Sequence, residues 1–285
     1  MTDRTAQKKK AEVFLSLHKG PALLVLPNIW DPLGARILEA KGYPAVATAS
    51  AAVSASLGYA DGENISRATL ISVISRIAQS VQIPVTADIE SGYGSTLKAL
   101  RETIRQVISA GAVGINIEDS SGDGKTLRSV DEQTERIAAV REVADRQGIH
   151  LVINARVDSY LSKSFTTSEA RMEDAVTRAQ AYAGAGADCI YPIGPGDADT
   201  VKEIRRGISS PLNILAGPLA APLAVFQEIG INRISFGPHI FRSCVKKFSD
   251  IVDALKENGG YEVFADKTVT GSDLKPYLMQ RFEGK

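Results

Sequence analysis

Acidic residues close three short apolar runs: Asp88 and Glu90 in PVTADIESGYG, Glu118 and Asp119 in GINIEDS, and Asp158 beside Arg156 in VINARVDS. A carboxylate held in apolar surroundings needs a cation, a proton or hydrogen-bond donors to offset its lost hydration. Run after run ending in acid therefore implies a shared cation. Oxygen ligands dominate and histidine is absent from these positions, which points to a hard divalent ion, Mg2+ or Mn2+. Such an ion takes one or two carboxylates directly and keeps several waters, a role open to Asp88 and Glu118. Arg156 is the strand-borne cation among these acids. Two readings of it stand open: a bidentate grip on a substrate carboxylate, or a structural counter-ion to Asp158 or Glu118.

Bringing these ends together requires a repeating scaffold, and the chain supplies one. Eight apolar runs, at 23–28, 45–50, 84–90, 114–119, 150–158, 189–194, 212–217 and 233–238, alternate with helical patterns such as 97–110, 132–144 and 170–183. Short, nearly continuous apolar runs are what strands covered on both faces require. Eight strand–helix units at this length predict an α/β fold, a (β/α)8 TIM-type barrel. An open doubly wound sheet is less consistent, because LPNIWDPLGAR carries no glycine fingerprint after the first run. The barrel is assigned to 1–258, and 259–285 reads as a C-terminal helical extension. Active sites of such barrels form where strands end. Those ends collect Asn28, Asp31, Ser50, Asp88, Glu90, Glu118, Asp119, Arg156, Asp158, Tyr191 and Asn213, with Trp30 and Tyr93 close by.

Composition narrows the class of protein. The 285 residues carry a formal net charge of +0, which argues against a nucleic-acid partner. No run approaches the ~20 apolar residues of a membrane span, and the N-terminus has no signal-peptide core. Two cysteines, Cys189 and Cys244, give neither a disulfide framework nor zinc spacing. They read as two buried, reduced thiols in a cytoplasmic protein.

SLGYADGE at 56–63, ADIESGYG at 87–94, GINIEDS at 114–120 and INARVDS at 153–159, in this order and spacing, resemble the isocitrate lyase/phosphoenolpyruvate mutase superfamily. The resemblance runs from Pro27 to about Phe248. It implies a Mg2+- or Mn2+-dependent enzyme acting on a small 2-oxo or 2-hydroxy acid, cleaving a C–C bond through an enolate as a lyase or decarboxylase. It implies Asp88, Glu118 and Glu90 at the metal, Asp61 on the loop after the second strand, and Arg156 on the substrate's carboxylate or oxo oxygen. The backbone N–H groups of Ser50 and Ala51 would meet the carboxylate, with Tyr93, Tyr191 and Asn213 lining the substrate. It also implies a homo-oligomer, a dimer or tetramer, in which the C-terminal segment passes between subunits; Tyr261, Phe264, Tyr277 and Phe282 would anchor it.

The sequence departs from that pattern in two places. Lyase members carry a Lys-Lys/Arg-Cys-Gly-His loop after the fourth strand, whereas the loop here reads SSGDGKTLRSVDEQ, with neither cysteine nor histidine. The mutase and phosphonopyruvate hydrolase loop, with its Lys and Asn or Thr after the Glu-Asp pair, is also poorly matched, with Lys125 and Thr126 as its remnants. Gly122 and Gly124 make this loop a lid carrying a catalytic Lys125, or else an ordinary solvated loop. Second, Glu90 replaces an Asp, and by the two-residue strand repeat it is expected to point inward with Asp88. The alternatives are therefore C–P hydrolysis or mutation of a phosphonopyruvate-type acid, and a barrel that binds a 2-oxo acid without turnover. A Schiff-base aldolase is disfavoured, since no run ends in lysine.

Overall fold

The computed structural model of the chain describes residues 3–121, 126–258, 261–264 and 269–278. Its strands are β1 (Leu24–Leu26), β2 (Asn28–Ile29), β3 (Val46–Thr48), β4 (Val85–Asp88), β5 (Gly114–Glu118), β6 (Val152–Val157), β7 (Cys189–Pro192), β8 (Asn213–Leu215) and β9 (Arg233–Ser235). All pair in parallel. One ladder runs β2–β3–β4–β5–β6–β7 and the other β1–β9–β8. A bridge between Ile190 and Leu212 joins them on one side, and the continuity of β1 into β2 closes the other. This is the eight-stranded barrel expected from the sequence, with its first strand in two pieces. Pro27 explains the break, because it has no N–H to give to a ladder. Before it the chain pairs with β9, and after it with β3.

Helices wrap the ring, and most of those that follow a strand start at a side-chain cap and bury one face. The helix Leu97–Ser109 is capped by Thr96 and buries Leu100, Ile104, Val107 and Ile108, the three- and four-residue spacing of an amphipathic helix. Val130–Arg146 follows its Ser129 cap in the same way. No helix among the described residues is long and apolar enough to cross a membrane.

The N-terminal helix Arg4–Lys19 lies outside the eight-unit repeat and closes the barrel base. Gln7 donates to the carbonyl oxygens of Ile108 and Ala112, Asn232 donates to that of His18, and Phe14 packs over Gly114. A Cβ at Gly114 would stand 2.6 Å from the Phe14 ring, so only glycine admits this plug.

At the other end, helix His239–Asn258 follows β9 and leaves the barrel surface. Phe241 near its start packs edge-on against Trp30, with ring centroids 5.0 Å apart. Cys244 on this helix is exposed, which corrects the expectation of two buried thiols; Cys189, within β7, is buried. Of the C-terminal segment, a 3-10 turn at Glu262–Phe264 lies against helix His239–Asn258, and a turn at Lys275–Tyr277 lies against helix Pro32–Ala40. Phe282 falls outside the described residues.

Candidate active site

Parallel pairing sets the level of every inward side chain. Asp88 is paired with Asn116, Glu118 with Arg156, and Arg156 with Tyr191, so the polar ends of β4 to β7 sit side by side. Inward residues alternate along each strand. Two positions below Glu118 and Arg156 lie Asn116 and Asn154, paired with each other. The result is a cavity of about 220 Å3 at the C-terminal mouth, with Asp61, Asp88 and Arg156 at its rim and Asn154, Asn213 and Arg233 in its floor.

Asp88 is held from three sides. Its Oδ2 accepts from the Ser50 N–H at 3.0 Å. Its Oδ1 accepts from the Asn116 amide at 3.0 Å and from the Glu90 N–H at 3.3 Å. Asn154 in turn donates to Asn116 at 2.9 Å, so a chain of amides on β6 and β5 ends on the Asp88 carboxylate. Asp61 faces it from the open rim. Burial and then the Asp88 charge raise the Asp61 carboxyl above its usual range, while a hydrogen bond with the Ser50 hydroxyl and the Arg156 charge lower it. Ser50 and Ala51 line the mouth as expected, but the Ser50 N–H is spent on Asp88.

Arg156 proves to be a shared ion-pair centre. Its Nη1 lies 2.7 Å from Glu118, and its Nε and Nη2 donate to the two oxygens of Asp158 at 2.6 and 3.1 Å. Burial disfavours the guanidinium, but Glu118 and Asp158 outweigh this and hold it charged. Of its five N–H donors, three are engaged, which leaves two for a ligand. The counter-ion reading is what the geometry shows, with Arg156 paired to two acids while it lines the cavity. Burial pushes Glu118 up, Arg156 pulls it back, and Asp158, Asp88 and Glu90 push further, leaving the carboxyl net raised. Asp119 turns away from the cavity. It accepts from the Asp158 N–H, the Tyr182 hydroxyl and Arg178, and so braces the strand end that carries Arg156.

Glu90 departs from the sequence expectation. β4 stops at Asp88, and Glu90 has a left-handed backbone with φ +51°, so the two-residue repeat no longer governs it. Its carboxylate turns from the cavity to the 57–64 loop, accepting from the N–H groups of Gly62 at 2.8 Å and Glu63 at 2.5 Å. Tyr93, expected to touch substrate, donates its hydroxyl to Glu90 at 3.0 Å. Glu63 answers from the other loop, accepting from the Ser91 hydroxyl at 2.6 Å and the Tyr93 N–H at 2.8 Å. The non-glycine residues with positive φ among those described are Glu63, Glu90 and Tyr93, all within this reciprocal latch. Burial, then Asp88 and Asp61, raise the Glu90 carboxyl to about 7.

Tyr191 and Asn213 line the cavity as expected, and the Asn213 amide exchanges hydrogen bonds with Ser235 at 3.1 and 3.2 Å. Lys125, Gly122 and Gly124 lie outside the described residues. Asn116, Asn154, Arg233 and Arg242 were not singled out from the sequence. The first three were within reach, because each stands two residues before a candidate or polar inward residue on its run. Arg242 was not, since it enters the mouth from a helix that the strand-end rule does not cover.

The donor set fits a divalent ion held largely through water. Among the described residues no three carboxyl, imidazole or thiol groups close a cage by themselves. Asp88 nonetheless raises the electrostatic cost of both Asp61 and Glu118, which a hard cation bound by one or two carboxylates would relieve.

Residues 14–256 match the phosphoenolpyruvate phosphomutase family. The chain is 26% identical to the 2-methylisocitrate lyase of Halalkalibacterium halodurans, over 94% of this chain and 89% of that one. Among solved structures, it is similar to a Burkholderia cenocepacia J2315 protein provisionally called a phosphonomutase (38% identity, TM-score 0.82, covering 86% of this chain and 99% of that one). A phosphonopyruvate hydrolase solved with oxalate and Mg2+ matches at 25% identity and TM-score 0.81, covering 94% of each chain.

Proposed function

The chain belongs to the phosphoenolpyruvate phosphomutase family of the isocitrate lyase/phosphoenolpyruvate mutase superfamily, and from that premise we propose that it is a Mg2+-dependent lyase cleaving a C–C bond in a small 2-oxo or 2-hydroxy acid. The observation that carries this reading is the convergence of Asp88, Asp61 and Arg156, backed by Glu118, on one cavity at the barrel mouth. Asp88, with Glu118 and Asp61 acting through water, would hold the ion, and Mg2+ when bound would stabilise negative charge developing on the substrate oxygen.

The chain's own residues supply the rest. Arg156 keeps two N–H donors for a carboxylate or oxo oxygen, and a fixed donor aimed at developing charge is among the larger catalytic effects. The amide chain Asn154–Asn116 fixes the Asp88 carboxylate. Asp61, raised in pKa at the rim, is placed to carry a proton. The cavity of about 220 Å3 is below the ~300 Å3 at which pockets for drug-sized ligands begin, which supports a small acid.

C–P cleavage of a phosphonopyruvate-type acid is the second reading. It is favoured by the 119–128 loop, which has no cysteine or histidine and offers Lys125 and Thr126. The two free thiols fit a cytoplasmic setting, and an oligomer that covers helix His239–Asn258 fits its exposed face.

The test is a panel of oxaloacetate, phosphonopyruvate, 2-methylisocitrate and dialkylmalates with Mg2+, following pyruvate and phosphate release. Organic product without phosphate, lost in Asp88→Ala, is the expected result. Phosphate release selects the second reading. No product and no Mg2+-dependent oxalate binding would refute both.

A further inference from the structure

Arg233 opens β9 and points into the barrel two residues below Ser235. It is 3% exposed, and it lines the cavity floor. Its surroundings differ from those of the other buried arginines. Arg178 is paired with Asp119 and Asp174, and Arg136 donates to the carbonyl oxygens of Ser91 and Gly94. Arg233 has neither kind of support. Among the described residues it makes no ion pair, its Nε makes no hydrogen bond, and its contact from below is Nη1 to Nε2 of His18 at 3.5 Å.

His18 cannot neutralise it. The His18 Nδ1 lies 2.8 Å from the Phe14 carbonyl oxygen, so Nδ1 carries the hydrogen and Nε2 presents a lone pair. An uncharged ring beneath a buried guanidinium orients the cation but does not pair it, and burial outweighs the more distant pull of Asp88. Burying such a charge is costly unless something pays it back in the working state. The open side of Arg233 faces the same cavity as Asp88 and Arg156, opposite the acidic rim.

We infer that Arg233 is a substrate-binding residue that sets specificity: it receives a second anionic group, carboxylate or phosphonate, on a small 2-oxo acid whose first carboxylate and oxo oxygen occupy the Asp88–Arg156 end. The inference rests on the reading of that end as the oxo-acid site. It goes further in naming the residue that receives the second anionic group and selects such an acid over pyruvate-like monoanions.

Titration calorimetry with Mg2+ present tests this on the full chain, on Arg233→Met and on Arg233→Gln, which keeps a donor toward His18. The probes are oxalate, short enough to stay at the metal end; pyruvate, with one anionic group; 3,3-difluorooxaloacetate, with a second carboxylate; and sulfopyruvate, with a tetrahedral second anion. Wild type is expected to bind one or both of the last two more tightly than pyruvate. Each variant is expected to lose that preference by roughly 10- to 100-fold, the scale of a charge-assisted hydrogen bond, while oxalate affinity stays within about 3-fold of wild type. The stronger of the two doubly anionic probes names the second group.

Thermal unfolding without ligand supplies an independent readout, with a melting temperature for Arg233→Met equal to or above wild type. Unchanged preference in both variants overturns the inference. So does a lowered melting temperature in both, which marks a structural guanidinium. If wild type does not bind oxalate with Mg2+, the oxo-acid site itself fails and this inference falls with it; if oxalate binds and only the preference is missing, Arg233 alone is misassigned.

Discussion

Asp88 and His18 are both buried polar residues of the barrel interior, yet they answer to opposite demands. Asp88 takes three hydrogen-bond donors, and its charge raises the cost of ionising Asp61 and Glu118 nearby. Asp88→Ala is therefore expected to abolish turnover, by at least ~1,000-fold in kcat/KM if the carboxylate holds the ion, while the melting temperature changes little, because lost hydrogen bonds are offset by relief of acid repulsion. Activity assays and calorimetry on the same sample check both halves. His18 is kept neutral by burial first and by Arg233 second, with a pKa of about 4. Its folded pKa lies below its unfolded value of ~6.5, so between pH 6.5 and 4 the unfolded chain binds more protons. The contribution of His18 is complete above pH 6.5 and is lost as pH falls toward 4, on the order of 3 kcal/mol over the window. Denaturant unfolding of wild type and His18→Asn across pH 4–7.5 should show a shallower pH dependence in the variant; parallel curves would contradict this. At this scale Asp88, Glu118 and Arg156 were legible because charge at the end of an apolar run is rare enough to need a reason. Asn116, Asn154 and Arg233 carry the same inward alternation, but an asparagine on a strand raises no such alarm.

Between residue and fold, the loops after β3 and β4 act as one unit. Each sends a carboxylate onto the other, Glu90 to the N–H groups of Gly62 and Glu63, and Glu63 to the Ser91 hydroxyl and the Tyr93 N–H. Left-handed backbone at three non-glycine residues costs of order 1–3 kcal/mol each, so the latch holds only while these four contacts outweigh that strain. What it positions is Asp61, two residues before Glu63. Glu63→Ala is expected to lower kcat/KM by roughly 10- to 100-fold, the scale of a misplaced group. Faster amide exchange should appear over 57–64 but not in β4. Glu63→Gln, which keeps an acceptor oxygen, should recover most of the loss. Equal exchange in wild type and Glu63→Ala would mean the loops hold independently. The sequence shows why such an element escapes reading. Eight apolar runs announce eight strands, because periodicity is a local property. The latch depends on a turn that ends β4 two residues early, and the basal helix Arg4–Lys19 depends on Gly114 admitting Phe14; both are contacts between distant segments. The split of the first strand was not read from the run 23–28, although Pro27 is a local signal for it.

For the whole molecule, the decisive surface is helix His239–Asn258. It leaves the barrel after Phe241 meets Trp30 and carries an apolar stripe into solvent, with Val245 at 47%, Phe248 at 68% and Val252 at 45% exposed. These residues recur at three- and four-residue spacing, so they share one face. Large exposed apolar stripes usually mark interaction surfaces, and a helix held at one end gains most by burying its stripe against a second copy. The protein is therefore expected to sediment as a dimer or tetramer at micromolar concentration. Phe248→Glu should shift it to monomer, because a charge placed in a buried stripe meets no partner there. Cys244 lies one helical turn before Phe248, on the same side, and reports independently. Its thiol should react at least ~10-fold more slowly with a maleimide in the wild-type assembly than in the monomeric variant, since a covered thiol is shielded from reagent. A wild type that sediments as a monomer with a fast-reacting Cys244 would refute the assembly. Barrel chemistry would then have to survive Phe248→Glu unchanged, because the cavity residues Asp61, Asp88, Arg156 and Arg233 all come from one chain. If instead activity falls with assembly, the link is Arg242, which stands on this helix three residues past its start and reaches the same cavity. Covering the helix would then fix the position of Arg242 over the substrate.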